Sequence, residues 1–178
     1  MLKHASAFIL FFACLFTGLK LNAEKYKSPD YVRYANEIIS SFAKQIKKEF
    51  GLDCESSGGS MPYDVEEISI SFAAYQRATI EEARELEVKI TEKFVEMINK
   101  HEKIRPFLRE YPFPSSRTTV AISFHKKNNS RYTDGSVSYV SQVRNNLYYC
   151  AEDPNNRYRF IDLKEEPYEE ALKIVQPK

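Results

Sequence analysis

The apolar residues of this chain change their spacing along its length, and that change limits the folds open to it. Val32, Ala35, Ile39, Phe42 and Ile46 recur at intervals of three and four, the stripe of an amphipathic helix. Ile68, Ile70 and Phe72 then alternate with Ser69 and Ser71, the period of a half-buried strand. Ile80, Ala83, Leu86, Ile90, Phe94, Met97 and Ile98 return to helical spacing. Beyond them the chain alternates again, through Val120, Ile122 and Phe124, then Val137, Tyr139, Ser141 and Val143, then Leu147 to Cys150, then Tyr158 and Phe160. One strand between two helices, followed by a run of strands, excludes all-α and all-β folds. It predicts an α+β two-layer domain, with an antiparallel or mixed sheet of one strand plus a four-strand meander and helices packed on one face.

Local signals set the ends of these elements. Ser28-Pro29-Asp30 predicts a hydroxyl N-cap, proline at the first helical position and an acid near the positive end of the helix dipole. Gly51 is placed to end that helix, with Leu52 making the accompanying apolar contact. Residues 53–63, containing Ser56-Ser57-Gly58-Gly59-Ser60 and Pro62, read as a loop. Thr79 and Glu82 form a capping box at the second helix. Asn145-Asn146 predicts a two-residue hairpin turn, Asp153-Pro154-Asn155-Asn156 another turn, and Pro167 the start of a short last helix. Arg105 to Pro114, rich in proline and aromatics, is expected to pack as a cap on the core or to present a recognition edge.

Residues 1–23 have the pattern of a secretory signal peptide. Lys3 and His4 precede an apolar run, and Leu21-Asn22-Ala23 offers a small residue before a cut. The run is roughly 15 residues, short of the ~20 that span a bilayer, and an uncleaved anchor is the competing reading. The expected product is an exported protein, periplasmic or secreted, whose residues 24–178 form one domain of about 155 residues with a single core.

Loss of the leader takes Lys3 and Lys20 from 26 basic residues and nothing from 25 acidic ones, so the net charge passes from +1 to −1. No positive excess exists to neutralise phosphates, which argues against nucleic acid as a partner, and no membrane surface is favoured once the leader is gone. With 43% hydrophobic residues the chain is also no candidate for disorder. Two cysteines remain, Cys54 and Cys150. In an oxidising compartment they form a candidate disulfide, whose closed loop of about 96 residues would add roughly 4–5 kcal/mol by chain entropy, and two free thiols are the alternative.

Chemistry-bearing residues are few. His101 is expected at a helix C-terminus. His125 shares parity with Ala121 and Ser123 on the face opposite the core, as a strand-end histidine or a weak candidate general base. A Ser60–His125–Asp134 triad and a Cys54–His125 nucleophile are the enzymatic alternatives, the basis for a small secreted hydrolase. No metal-ligand spacing, phosphate loop or cofactor motif occurs, so neither metal nor cofactor is expected. The glutamates of the second helix, Glu81, Glu82, Glu85, Glu87, Glu92 and Glu96, alternate with Arg84, Lys89 and Lys93 and read as a solvated face.

Aromatics are the least ordinary feature. Tyr132, Tyr139, Tyr148, Tyr149 and Tyr158 fall in the meander with Arg131, Arg144, Arg157 and Arg159 nearby. Tyrosine and arginine are enriched at binding surfaces, which makes Tyr139, Tyr148, Tyr158 and Arg144 candidate binding residues; cross-strand pairs that stabilise the sheet are the alternative. The expected function is a non-enzymatic interaction domain that binds another protein or an envelope component.

The segment from Glu82-Ala83-Arg84-Glu85-Leu86-Glu87-Val88-Lys89 through Ile104-Arg105-Pro106-Phe107-Leu108-Arg109-Glu110-Tyr111-Pro112-Phe113 resembles stretches of small exported proteins of chlamydia-like bacteria. It carries no catalytic motif, and what the resemblance implies is a bacterial envelope or secreted setting.

Overall fold

The computed structural model describes residues 28–176, the side chain of Arg157 excepted. The leader assigned to residues 1–23 lies outside them. Three helices, α1 (Asp30–Phe50), α2 (Ile80–Lys100) and α3 (Tyr168–Val175), accompany six strands. The strands are β1 (Asp53–Ser60), β2 (Glu67–Ala74), β3 (Thr118–Phe124), β4 (Tyr139–Val143), β5 (Asn146–Asp153) and β6 (Asn156–Pro167).

Thr79 and Glu82 cap α2 reciprocally: the Glu82 N–H donates to Thr79 Oγ1 at 3.2 Å and the Thr79 N–H to Glu82 Oε2 at 2.9 Å. Gly51 closes α1 at φ 74°, its N–H donating to the Lys47 carbonyl. The start of α1 differs from expectation. Pro29, not Ser28, is the cap residue and no side chain caps the helix; the Val32 and Arg33 N–H groups reach the Pro29 carbonyl instead.

The strands lie in chain order across one sheet. All neighbours are antiparallel except β2 and β3, which run parallel from Ile68 opposite Thr118 to Ala74 opposite Phe124. A parallel pair needs a crossover, and α2 supplies it. The four-strand meander is therefore present as β3 to β6. The sheet has six strands where five were expected, because residues 53–60 form β1.

Gly58 and Gly59 are the reason that stretch read as a loop. Here Gly59 lies against β2 so closely that an added Cβ would collide with the Glu67 carbonyl, whereas one at Gly58 would meet only Ser69 Oγ at 3.5 Å. The glycine at position 59 serves close backbone approach, not a turn. The β4–β5 turn also shifts by one residue. Val143 pairs with Asn146, so Arg144 and Asn145 make the turn and Arg144 takes the positive φ of 55°.

One face of the sheet carries Ile68, Ile70, Phe72, Val120, Ile122, Phe124, Val140, Leu147 and Tyr149, all buried in a single core with the inward stripes of the helices. Phe42 of α1 stacks on Phe94 of α2 at 4.6 Å and meets Phe72 of β2 edge-on at 6.1 Å, tying three elements together. The segment after α2 packs as a cap. Phe113 is buried, and the Asn99 side chain accepts from its N–H and donates to its carbonyl.

The expected disulfide is not formed; both thiols are free. Cys54 is level with Phe72, Ile122, Val140 and Tyr149 on successive strands, so β2, β3 and β4 stand between it and Cys150 on β5. Four strand spacings come to about 19 Å, far beyond the ~7 Å between Cα atoms that a bridge allows.

Candidate functional site

Among the described residues, no helix covers the other face of the sheet. Alternation places Ser69, Ser71 and Ala73 of β2 there, with Thr119, Ala121 and Ser123 of β3 and Tyr139 and Ser141 of β4. His125 follows β3, and its N–H donates to the Ala74 carbonyl at 2.8 Å, which keeps it in strand register with its side chain beside Ser123. Its Nε2 lies 2.9 Å from Ser123 Oγ.

The third member of this group comes from β1. Pairing with β2 shifts between Cys54 and Ser56, so Glu55 is the extra residue of a bulge. Its carboxylate reaches over β2, whose side chain at that level is only Ala73, and Oε2 accepts from Ser123 Oγ at 2.7 Å. Its Oε1 is 3.9 Å from His125 Nε2. Tyr75 lies beside the imidazole, with ring centroids 6.3 Å apart. Glu55 fell in the segment read as a loop, so no alternation marked it; Ser123 was legible only as a residue sharing parity with His125.

In a serine hydrolase relay the imidazole stands between hydroxyl and carboxylate. Here the Ser123 hydroxyl stands between the other two groups, and His125 Nδ1 has no hydrogen-bond partner among the described residues. Ser123 is 5% exposed, and the Phe72 carbonyl is a second acceptor for its proton at 3.2 Å. The cluster is built to hold its three side chains still.

The triad written from the sequence does not assemble. Ser60 pairs with Glu67 at the far end of β2 from Ala74, about 23 Å along the strand, and its hydroxyl donates to Glu66. Asp134 pairs with Arg77 and accepts from Ser136. Burial and then the adjacent Glu55 push the Cys54 thiol up, against its use as a thiolate.

The candidate binding tyrosines share the open side of the sheet. Tyr139 pairs with Ser123 and Cys150, Tyr148 with Ser141 and Glu165. Tyr158 is 85% exposed and lines an open groove of about 580 Å³ with His125, Asn129, Ser130, Arg131 and Glu152. The Arg131 guanidinium lies over the Phe160 ring at 4.7 Å, and Phe160 in turn neighbours Tyr139 at 6.2 Å. Arg144 is exposed in the β4–β5 turn, away from the groove.

A second polar cluster lies on the helix side of the sheet, with Arg84, Glu87 and Glu166 buried and Lys164 at its edge. Arg84 and Glu87, read from sequence as part of a solvated face, are both buried. Arg84 pairs with Glu166, which also accepts from the Tyr149 hydroxyl and contacts Lys164. Burial pushes the Glu166 carboxyl up, but the hydrogen bonds from Arg84, Lys164 and Tyr149 together outweigh it and hold it at about 2. Glu87 accepts from the Gln142 N–H at 3.0 Å and has no ion-pair partner among the described residues; burial pushes it up to about 8.

Among the described residues no cluster of His, Cys, Asp and Glu is arranged to hold a metal ion, and no helix is long and apolar enough to cross a membrane. Compared with known protein families, curated proteins and solved structures, the chain gives no match.

Proposed function

We propose that this is an exported, non-enzymatic binding domain that engages a partner protein through the uncovered face of its sheet. The observation that carries this reading is the gathering of Tyr139, Tyr148 and Tyr158 on the side of the sheet that all three helices leave bare. Tyrosine offers broad, rigid contact area with a polar tip at little cost in side-chain entropy. Export rests on the leader pattern of residues 1–23. A protein is favoured over a polyanion because this side carries both signs of charge, with Glu55, Arg131 and Glu152, and the mature chain is near neutrality.

A small hydrolase acting through His125 is the second reading, supported by the imidazole next to a hydroxyl and a carboxylate. Burial of Ser123 and the bare Nδ1 weigh against it.

Selection of a displayed random-peptide library on the full chain tests the proposal. Sequences that bind the native protein should lose at least tenfold in affinity against folded Tyr139→Ser or Tyr158→Ser variants, about 1.4 kcal/mol or more. Equal binding to native protein and both variants would overturn it. Turnover of model esters or peptides that is abolished by His125→Ala would favour the hydrolase instead.

A further inference from the structure

Two opposite charges face the groove beside His125 without neutralising each other. Arg131 and Glu152 both line it. Among the described residues neither has an ion-pair partner, and they do not pair with one another. The Arg131 guanidinium rests on the Phe160 ring instead of on a carboxylate. Opposite charges on long side chains that share a groove gain by meeting, unless each is tied to its own wall.

The backbone that carries each is fixed, and the Arg131 guanidinium is also held on the Phe160 ring. Glu152 belongs to β5, and its N–H donates to Ser138 Oγ at 3.1 Å. The loop carrying Arg131 is closed by the Lys126 N–H on the Ser130 carbonyl at 2.7 Å and the Asn129 N–H on the Lys126 carbonyl at 2.9 Å. Asn129 takes φ 64° to make that turn. His125 is held by Ser123 at the floor. The backbone of the walls is therefore set before any ligand arrives, which lowers the ordering cost of binding, and the volume is that of a small-molecule site.

We infer that this groove binds a small zwitterion, an amino acid or short peptide with both termini free, its carboxylate on Arg131 and its ammonium on Glu152. A simple anion would be repelled by Glu152 and a simple cation by Arg131; a ligand carrying both charges satisfies both. The guanidinium fork suits a carboxylate, and Tyr158 adds a flat wall for the ligand's body. This deepens the binding-domain reading and rests on it.

Calorimetric titration of the full chain with an alanine dipeptide, its N-acetyl form and its C-terminal amide provides the test. The free dipeptide should bind saturably, and each capped form at least tenfold more weakly. Arg131→Gln should remove the penalty for amidation and keep the penalty for acetylation; Glu152→Gln should do the reverse. Circular dichroism melts of both variants, compared with the native chain, show that the fold is retained. No saturable binding of the free dipeptide up to ~10 mM, capped forms that bind as tightly, or variants that keep both penalties would each overturn the inference. Library peptides that depend on the tyrosines but ignore their own termini would overturn it too, and would leave the binding-domain reading standing.

Discussion

Arg84 and Glu166 lie 82 positions apart in the chain and meet as a two-pronged ion pair, Nε to Oε1 at 2.6 Å and Nη2 to Oε2 at 3.1 Å. Both side chains are more than nine-tenths buried, at 7% and 6% exposure. The pair joins α2 to the last strand across the core side of the sheet, and its two ends are not equivalent. Glu166 has the Tyr149 hydroxyl and Lys164 as further partners, whereas Arg84 has Glu166 as its one ion-pair partner among the described residues.

Removing either end should therefore cost unequal amounts. Glu166→Leu strands a buried guanidinium and should destabilise by about 3–5 kcal/mol, the range for breaking a buried pair. Arg84→Met leaves the carboxylate with two partners and should cost about half as much. The double variant should recover much of the Glu166→Leu loss, because no buried charge is then left unpaired. Urea unfolding of the four proteins measures this, and equal single-variant losses would contradict the asymmetry.

Glu87 should give the protein an unusual dependence on pH. Its carboxyl keeps its proton up to about pH 8 in the folded protein, against an ordinary value of 4.5 in the unfolded chain. Between those limits the folded state binds the extra proton, so stability falls as pH rises, at ~1.4 kcal/mol per unit within the window. The contribution is full below 4.5 and gone above about 8. Glu166 acts in the opposite sense: held at about 2, it stabilises above its ordinary 4.5 and loses that contribution as pH falls toward 2. Subtracting the stability of a Glu87→Gln variant from that of the native chain isolates the first effect. The difference should decline by a few kcal/mol from pH 4.5 to 8, and a flat difference would show that Glu87 is ionised in the fold.

The adjacent glycines of β1 should respond differently to the same change. Gly58→Ala meets Ser69 Oγ at ordinary contact distance and should shift stability by no more than about 0.5 kcal/mol. Gly59→Ala drives a methyl into the backbone of β2 and should cost about 2 kcal/mol or more, since a neighbouring strand cannot step aside as a side-chain tip can. Thermal melts of the two variants separate these outcomes. Equal losses would mean that β1 does not lie on β2 in the observed register.

The elements that were legible beforehand depended on neighbours a few residues away. The capping box of α2, the end of α1 at Gly51, the strands around Ile70 and Ile122 and the meander each announce themselves within one or two turns or pleats. What escaped notice has a common cause as well. β1 carries serine and glycine because it is an exposed edge, so it lacks the apolar alternation by which a strand is recognised. Glu87 stands four residues after Ala83 and three before Ile90, inside the apolar stripe of α2, so spacing alone places it inward; only its charged side chain, among the exposed glutamates of the same helix, argued for solvent. The same holds for the cysteines, whose oxidising setting suggested a bridge that three intervening strands forbid.

The sequence by itself determined the local order of this protein, from helix caps and stripes to the succession of α and β elements, because those follow from backbone sterics and burial over short spans. Tertiary structure alone decided which distant residues meet. Glu55 reaches Ser123 because a bulge lifts it over a small alanine, Arg84 finds Glu166 because β6 ends beneath α2, and Arg131 and Glu152 face one groove because a loop and a strand end there together. Such meetings depend on strand order and register, and those are set by how all the elements share one core, a property of the assembled chain that no short window contains.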